Sequence, residues 1–234
     1  MIYTGIDGCK TGWFIFSLKE NSYSYSVVKS IKEAEKELNL SNVNFIDIPL
    51  GLENDKPARD CDMLLKKILG KKSSAIFNAP VYPLLKCSTY EEACSLSQKK
   101  TGKKISLQTW YIIPKIRDAN SFLQNCANKD LLKEFHPETG FFLLNKKTHL
   151  QFSKKDKQGI AERIRILNKY IDAEKIFEEI SSETLRKNVA KDDILDAMCC
   201  AVNAKFADKT FTVPEISTLD KFGIKKKIVL TEFI

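Results

Sequence analysis

The first fifty residues constrain the fold more than any other part of the chain, because four apolar runs and one polar stretch follow each other there almost without spacers. Residues 1–8 form a short apolar run ending in Asp7-Gly8, and runs 13–18 and 23–28 follow, separated by the polar turn 19–22. Such short links join antiparallel neighbours, so the three runs are expected to form a meander. Residues 29–38 have the charge and spacing of an exposed helix, and 44–48 form a fourth strand stopped by Pro49 and Gly51. The order β-β-β-α-β predicts a mixed sheet in which strands one and four are neighbours.

Downstream, residues 59–69 alternate charged and apolar residues at helical period and close at Gly70, and 73–83 is irregular and proline-containing. Helices are expected over 90–100 and 107–126, with Pro114 kinking or interrupting the second. Residues 131–135 return to strand character just before His136-Pro137-Glu138. Amphipathic helices are expected over 157–170 and 192–207, and the runs 210–213 and 227–233 read as a terminal hairpin.

At 234 residues and 43% hydrophobic content, one domain with insertions is the expected organisation. No apolar run reaches the roughly 20 residues of a bilayer span, and no basic region followed by an apolar core opens the chain, so a cytoplasmic protein without a membrane partner is expected. The seven cysteines show no C-x-x-C pairing and there are two histidines, His136 and His149, which leaves carboxylates as the ligands for any metal and hard cations as the metals they suit. A net charge of +8 favours a polyanionic partner such as nucleic acid, although lysine runs such as Lys103-Lys104 also fit a solvated surface.

Acids stand at the ends of strands one and four (Asp7, Asp47), and a further pair lies on the late helix (Asp193, Asp196). The i, i+3 spacing puts that pair on one helix face, with Cβ atoms about 5–6 Å apart. Each like-charged carboxylate pair at ~4 Å costs about 4 kcal/mol at an effective dielectric of ~20, so a cluster must retain protons or bind a cation, and an oxygen-only set suits Mg²⁺ or Mn²⁺. Two such ions would serve phosphodiester hydrolysis. Taken singly, Asp7 also fits a turn, Asp47 a cap, and Asp192-Asp193 helix caps. Asp196 lies on an otherwise apolar face (Ile194, Leu195, Ala197, Met198), where an unpaired carboxylate is costly. In a crystal grown with Mn²⁺, ions between Asp7, Asp47 and the late helix would support a metal site, and ordered lysine-to-carboxylate pairing there would undercut it.

Ordered segments run through nearly the whole chain: Gly5-Ile6-Asp7-Gly8-Cys9-Lys10-x-Gly12-Trp13, Ile46-Asp47-Ile48-Pro49-Leu50-Gly51-Leu52, Arg59-x-Cys61-Asp62 and Ser73-Ser74-x-x-Phe77-x-x-Pro80. They continue with Ser106-x-Gln108-x-Trp110-x-Ile112, Pro114-Lys115-Ile116, Glu134-x-His136-Pro137-Glu138, Ser153-Lys154-Lys155 with Gly159 and Arg163, and Asp192-Asp193-x-x-Asp196-Ala197. In these segments the chain resembles the domain of unknown function 429 family, whose members are predicted nucleases with a ribonuclease H-like fold. The resemblance implies an α/β architecture: a mixed five-stranded sheet, three-stranded antiparallel meander plus parallel strands, flanked by helices. One domain over 1–234 with a helical insertion at about 71–128 is expected. The resemblance also implies a Mg²⁺- or Mn²⁺-dependent nuclease with Asp7, Asp47, Asp193 and Asp196 as metal ligands. The helical Asp193-x-x-Asp196-Ala197 ending is also similar to the last motif of Holliday-junction resolvases, whose paired acids ligate metal.

Further candidates surround this set. Glu134 fits a metal ligand or a water-holding residue, His136 a proton shuttle or a packed turn residue, and Glu138 an extra acid. Lys10, Arg59, Lys154 and Lys155 are candidate phosphate contacts. Trp110 and Tyr111 fit either base stacking or packing of the inserted helix. Two other functions remain open: an ATP-binding phosphotransferase, since Asp7-Gly8-x-x-Thr11-Gly12 is reminiscent of the phosphate loop of sugar kinases and actin-like ATPases, and a non-catalytic module that binds nucleic acid or protein.

Overall fold

Two strands buried on both faces organise the sheet. In the computed structural model, which describes residues 1–20 and 22–232, β1 (Ile2–Cys9) and β2 (Gly12–Lys19) are buried along almost their whole length, as their near-continuous apolar sequences require. They pair antiparallel from Ile2↔Lys19 to Cys9↔Gly12. β3 (Ser22–Val28) pairs antiparallel with β2 and alternates exposed with half-buried positions, the pattern of an edge strand. Asn21 of the expected turn, and Phe233 at the end of the expected terminal strand, lie outside the described residues.

A 3-10 turn, Ile31–Ala34, and α1 (Glu35–Leu40) replace the single helix expected over 29–38. They return the chain to β4 (Val43–Ile46), parallel to β1 with Tyr3↔Val43 through Ile6↔Ile46 in register. β5 (Lys133–Glu134) adds a second parallel pair, Ile46↔Glu134, and the sheet order is β3-β2-β1-β4-β5. This five-stranded mixed sheet flanked by helices is consistent with a ribonuclease H-like fold. β5 is shorter than the run 131–135, because Pro137 begins a helix with His136 as its N-cap; Phe135 adds an isolated parallel bridge to Val229.

The chain divides into two compact units. The first comprises Met1–Ile48, Leu131–Phe211 and Val229–Ile234 and holds the sheet. Its helices are α5 (Pro137–Leu144), α6 (Lys157–Leu167), α7 (Ala173–Glu183) and α8 (Lys191–Ala204). Phe14, Phe16 and Phe45 of the sheet share one core with Phe141, Ile166, Ile180 and Leu195 of these helices. Every residue of α8 from Ile194 to Ala204 is buried, so α8 is the central helix. The expected helix 157–170 ends at Leu167, and the sequence reading did not anticipate α5 and α7. α5 is apolar at almost every position, so no helical period stands out from it.

The second unit comprises Pro49–Asp130 and Thr212–Ile228. It contains α2 (Asp60–Leu69), α3 (Tyr90–Thr101) and α4 (Leu107–Asn125), joined by 3-10 turns. Pro114 does not interrupt α4, which runs through it at the cost of one intrahelical hydrogen bond. Asn120 ties the entry to this unit: its Oδ1 accepts from Gly51 N at 3.0 Å and its Nδ2 donates to Pro49 O at 2.9 Å. The expected terminal hairpin is present: β6 (Thr210–Leu219) extends beyond the run 210–213, and β7 (Lys225–Thr231) begins two residues before the run 227–233.

Candidate functional site

Strand register brings the first two acids together. Ile6 pairs with Ile46, and the Asp47 amide donates to the Ile6 carbonyl at 2.9 Å, which carries the parallel ladder one residue past β4 and sets Asp47 beside Asp7. Asp7 is buried, and its Oδ1 accepts from the Gly8 amide at 2.7 Å.

A close approach of helix to strand adds the third acid. Gly5 shares a face of β1 with Asp7, two residues on. A Cβ at Gly5 would lie 2.0 Å from Ala197 O and 2.4 Å from Ala201 N, so only a bare backbone lets α8 settle this far onto β1. Asp196, one residue before Ala197, is thereby buried at 3% exposure near Asp7 and Asp47. Asp193, one turn earlier and half-buried, accepts from the Ala190 amide at 2.9 Å through Oδ2. That reach-back bond caps α8, the role the sequence offered to Asp192-Asp193 as an alternative to metal ligation.

Burial and mutual repulsion shift these carboxyls together. Burial, then Asp47, Asp196 and Asp193, hold the Asp7 carboxyl well above its usual range. Burial and the neighbouring Asp196 push Asp47 up to about 8, with Glu134 adding to the effect. Asp193 is raised to about 6, chiefly by burial and against the Ala190 amide. Asp196 is raised by burial, with Lys154 and Arg163 opposing.

The opposing charge is Lys154, on the loop between α5 and α6. Its Nζ lies 2.7 Å from Asp196 Oδ2 and 3.6 Å from Asp192 Oδ2. Burial alone would lower its pKa, but Asp196, Asp7 and Asp47 outweigh that and hold it above the usual lysine value. As the protein stands, Lys154, expected as a phosphate contact, is paired with carboxylates. Among the described residues, no three His, Cys, Asp or Glu side chains are disposed as a ready ligand set for a metal ion.

The remaining candidates separate. Lys10, in the β1–β2 turn, and Lys155 are exposed. Glu134 is buried, in register with Ile46, and near enough to Asp47 to raise its proton affinity. Glu138 pairs with the buried Arg163 at 2.8 Å, and His136 stands at the N-cap of α5. Arg59, in the second unit, is not displayed to a phosphate: it is buried, bonded to Asp62 at 2.5 and 3.2 Å, and donates to the Leu50 carbonyl at 2.8 Å. Trp110 packs against Tyr90 with ring centroids 6.3 Å apart, whereas Tyr111 is exposed.

Sheet and site define an α/β protein with a desolvated carboxylate cluster where two parallel strands end beneath a buried helix. The family profile described as "Protein of unknown function (DUF429)" matches residues 5–216, and the chain belongs to that family. No curated protein and no solved structure matched the chain. Among the described residues no helix is long and apolar enough to cross a membrane.

Proposed function

We propose that this protein is a divalent-cation-dependent nuclease that hydrolyses phosphodiester bonds, with Mg²⁺ or Mn²⁺ held by Asp7, Asp47, Asp193 and Asp196. The observation that carries this reading is the gathering of the buried Asp7 and Asp196 with the half-buried Asp47, close enough that Asp196 raises the proton affinity of the other two, with Lys154 paired to Asp196. Desolvated carboxylates in such excess store repulsion that protons or a hard cation must relieve, and the donor set is oxygen only. In charge and donor type the residues fit such a cation, although Lys154 now neutralises Asp196.

When bound, the cation supplies polarisation of a phosphodiester oxygen and neutralisation of charge developing on the phosphate. The chain supplies the rest. The β1–β4 ladder holds Asp7 and Asp47 side by side, and the Gly5 contact fixes Asp196 over them, so three acids are pre-positioned by backbone packing. Glu134 acts at a distance, by raising the proton affinity of Asp47. The net charge of +8 and the exposed Lys10 and Lys155 favour a polyanionic substrate.

The test is hydrolysis by purified protein with Mn²⁺ on single-stranded, duplex, hybrid and branched nucleic acids, beside Asp7→Asn and Asp47→Asn. Metal-dependent cleavage by the wild type and its loss in both variants is the expected result. Cleavage that survives both substitutions rules out this site.

A further inference from the structure

We propose that Lys154 is a built-in counter-ion that holds the cation position against Asp196, and that a divalent cation binds only when the Lys154 side chain swings out. The inference rests on the metal reading above and adds to it a regulator of the same site.

The acid end of the contact is rigid. Asp196 sits in the buried run of α8, packed on β1 at Gly5, and its side chain is 5% exposed. The lysine end has a fixed root and a movable tip. At the root, the Glu162 carboxylate accepts from the amides of Gln151, at 3.1 Å to each oxygen, and Phe152, at 3.2 Å. Arg163 donates to the Gly159 carbonyl at 3.2 Å and reaches the Phe152 carbonyl at 3.5 Å. Gly159 lets the loop lie directly on α6, since a Cβ there would stand 1.8 Å from Ser153 O. The backbone leading up to Lys154, from Gln151 to Ser153, is therefore held against α6.

The tip differs. The Lys154 side chain is 42% exposed, so water is within reach of its flexible four-carbon stem. A clamped root with an accessible tip means that release needs side-chain rotation alone. Bound to Asp196 and Asp192, the ammonium supplies one positive charge to an excess of carboxylates, where a divalent cation supplies two. The two compete for the same oxygens, so the measured metal affinity is the intrinsic one reduced by the fraction of molecules whose lysine is out.

Mn²⁺ binding to the full chain, measured by calorimetry and by the loss of the free-Mn²⁺ paramagnetic resonance signal, tests this directly. Lys154→Met is expected to bind Mn²⁺ roughly tenfold tighter than the wild type or better. Lys154→Arg, which keeps the charge, and Lys155→Met, next along the loop, are expected to bind as the wild type does. Thermal melts of all four proteins check the fold. Equal or weaker binding by Lys154→Met, with Mn²⁺ still bound by the wild type and released by Asp196→Asn, overturns the counter-ion role and leaves the metal site standing. Absence of Mn²⁺ binding by wild type and Lys154→Met alike overturns both.

Discussion

The Asp47 amide donates to the Ile6 carbonyl at 2.9 Å, and this one hydrogen bond past the end of β4 seats Asp47 beside Asp7 on neighbouring parallel strands. The backbone bond keeps the two residues side by side, so the repulsion between their carboxyls is relieved through protonation. That response gives the first prediction.

The Asp47 carboxyl titrates at about 8 in the folded protein against an ordinary value of 3.8. Its folded pKa is raised, so between those values the folded state binds more protons than the unfolded chain, and stability falls as pH rises. The contribution is complete below about pH 4 and is lost as pH passes about 8. Each proton gives a slope of at most about 1.4 kcal/mol per pH unit, and the raised Asp7, Asp193 and Asp196 act in the same direction. Lys154 stays charged throughout this window. Urea titrations without divalent cation are expected to show greater stability at pH 5 than at pH 8. Asp47→Asn is expected to flatten that slope and to stabilise the protein at pH 8 by about 1–3 kcal/mol.

Gly5→Ala tests the contact that places α8. The added methyl would meet the Ala197 carbonyl at 2.0 Å and the Ala201 amide at 2.4 Å, both of them backbone. Neither can turn aside, so the helix must shift. A loss of about 3 kcal/mol or more is expected in chemical denaturation, with loss of metal-dependent cleavage in whatever folded protein remains.

Arg163 anchors the segment that bears Lys154. Its guanidinium is 2% exposed, pairs with Glu138 at 2.8 Å and lies 5.3 Å from the centre of the Phe141 ring. Arg163→Met leaves Glu138 without this partner and unpins the loop from α6, with an expected loss of about 3–5 kcal/mol. Glu138→Gln keeps a hydrogen-bond acceptor and is expected to cost less. Equal losses in the two melts would contradict this account.

Arg59 and Lys155 separate folding from ligand contact. Arg59→Met is expected to destabilise by about 3 kcal/mol, because it removes the buried partner of Asp62, while leaving nucleic-acid affinity per folded molecule unchanged. Lys155→Met is expected to leave stability within about 0.5 kcal/mol and to lower the slope of log affinity against log salt by about 1 if Lys155 meets a phosphate. Filter binding at several salt concentrations, with melts of both variants, checks the pair.

Much of the sheet was legible in the sequence, because strand period and turn chemistry are local. The meander, the return through a helix to a fourth strand, and the acids at the ends of strands one and four can all be read within the first fifty residues. α7 carries a stripe at helical spacing, Ala173, Ile176, Phe177 and Ile180, and is legible on the same local grounds. α5 is not, since a helix buried on nearly all sides has no polar face to mark its period.

What the sequence by itself determined was the carboxylate inventory and its approximate place: two acids on strand ends and two at helical spacing, in a chain with two histidines and no C-x-x-C pair. Only the tertiary structure decided which charges meet. Lys154 and Asp196 are forty-two positions apart, and their 2.7 Å contact depends on Gly159 seating a loop on α6 and Gly5 seating α8 on β1. Arg59 looked like a phosphate contact for the same reason that Lys154 did: a basic residue in a motif shows its charge in the sequence but not its partner. Pairing is set by packing between elements distant in the chain, and no local period records it.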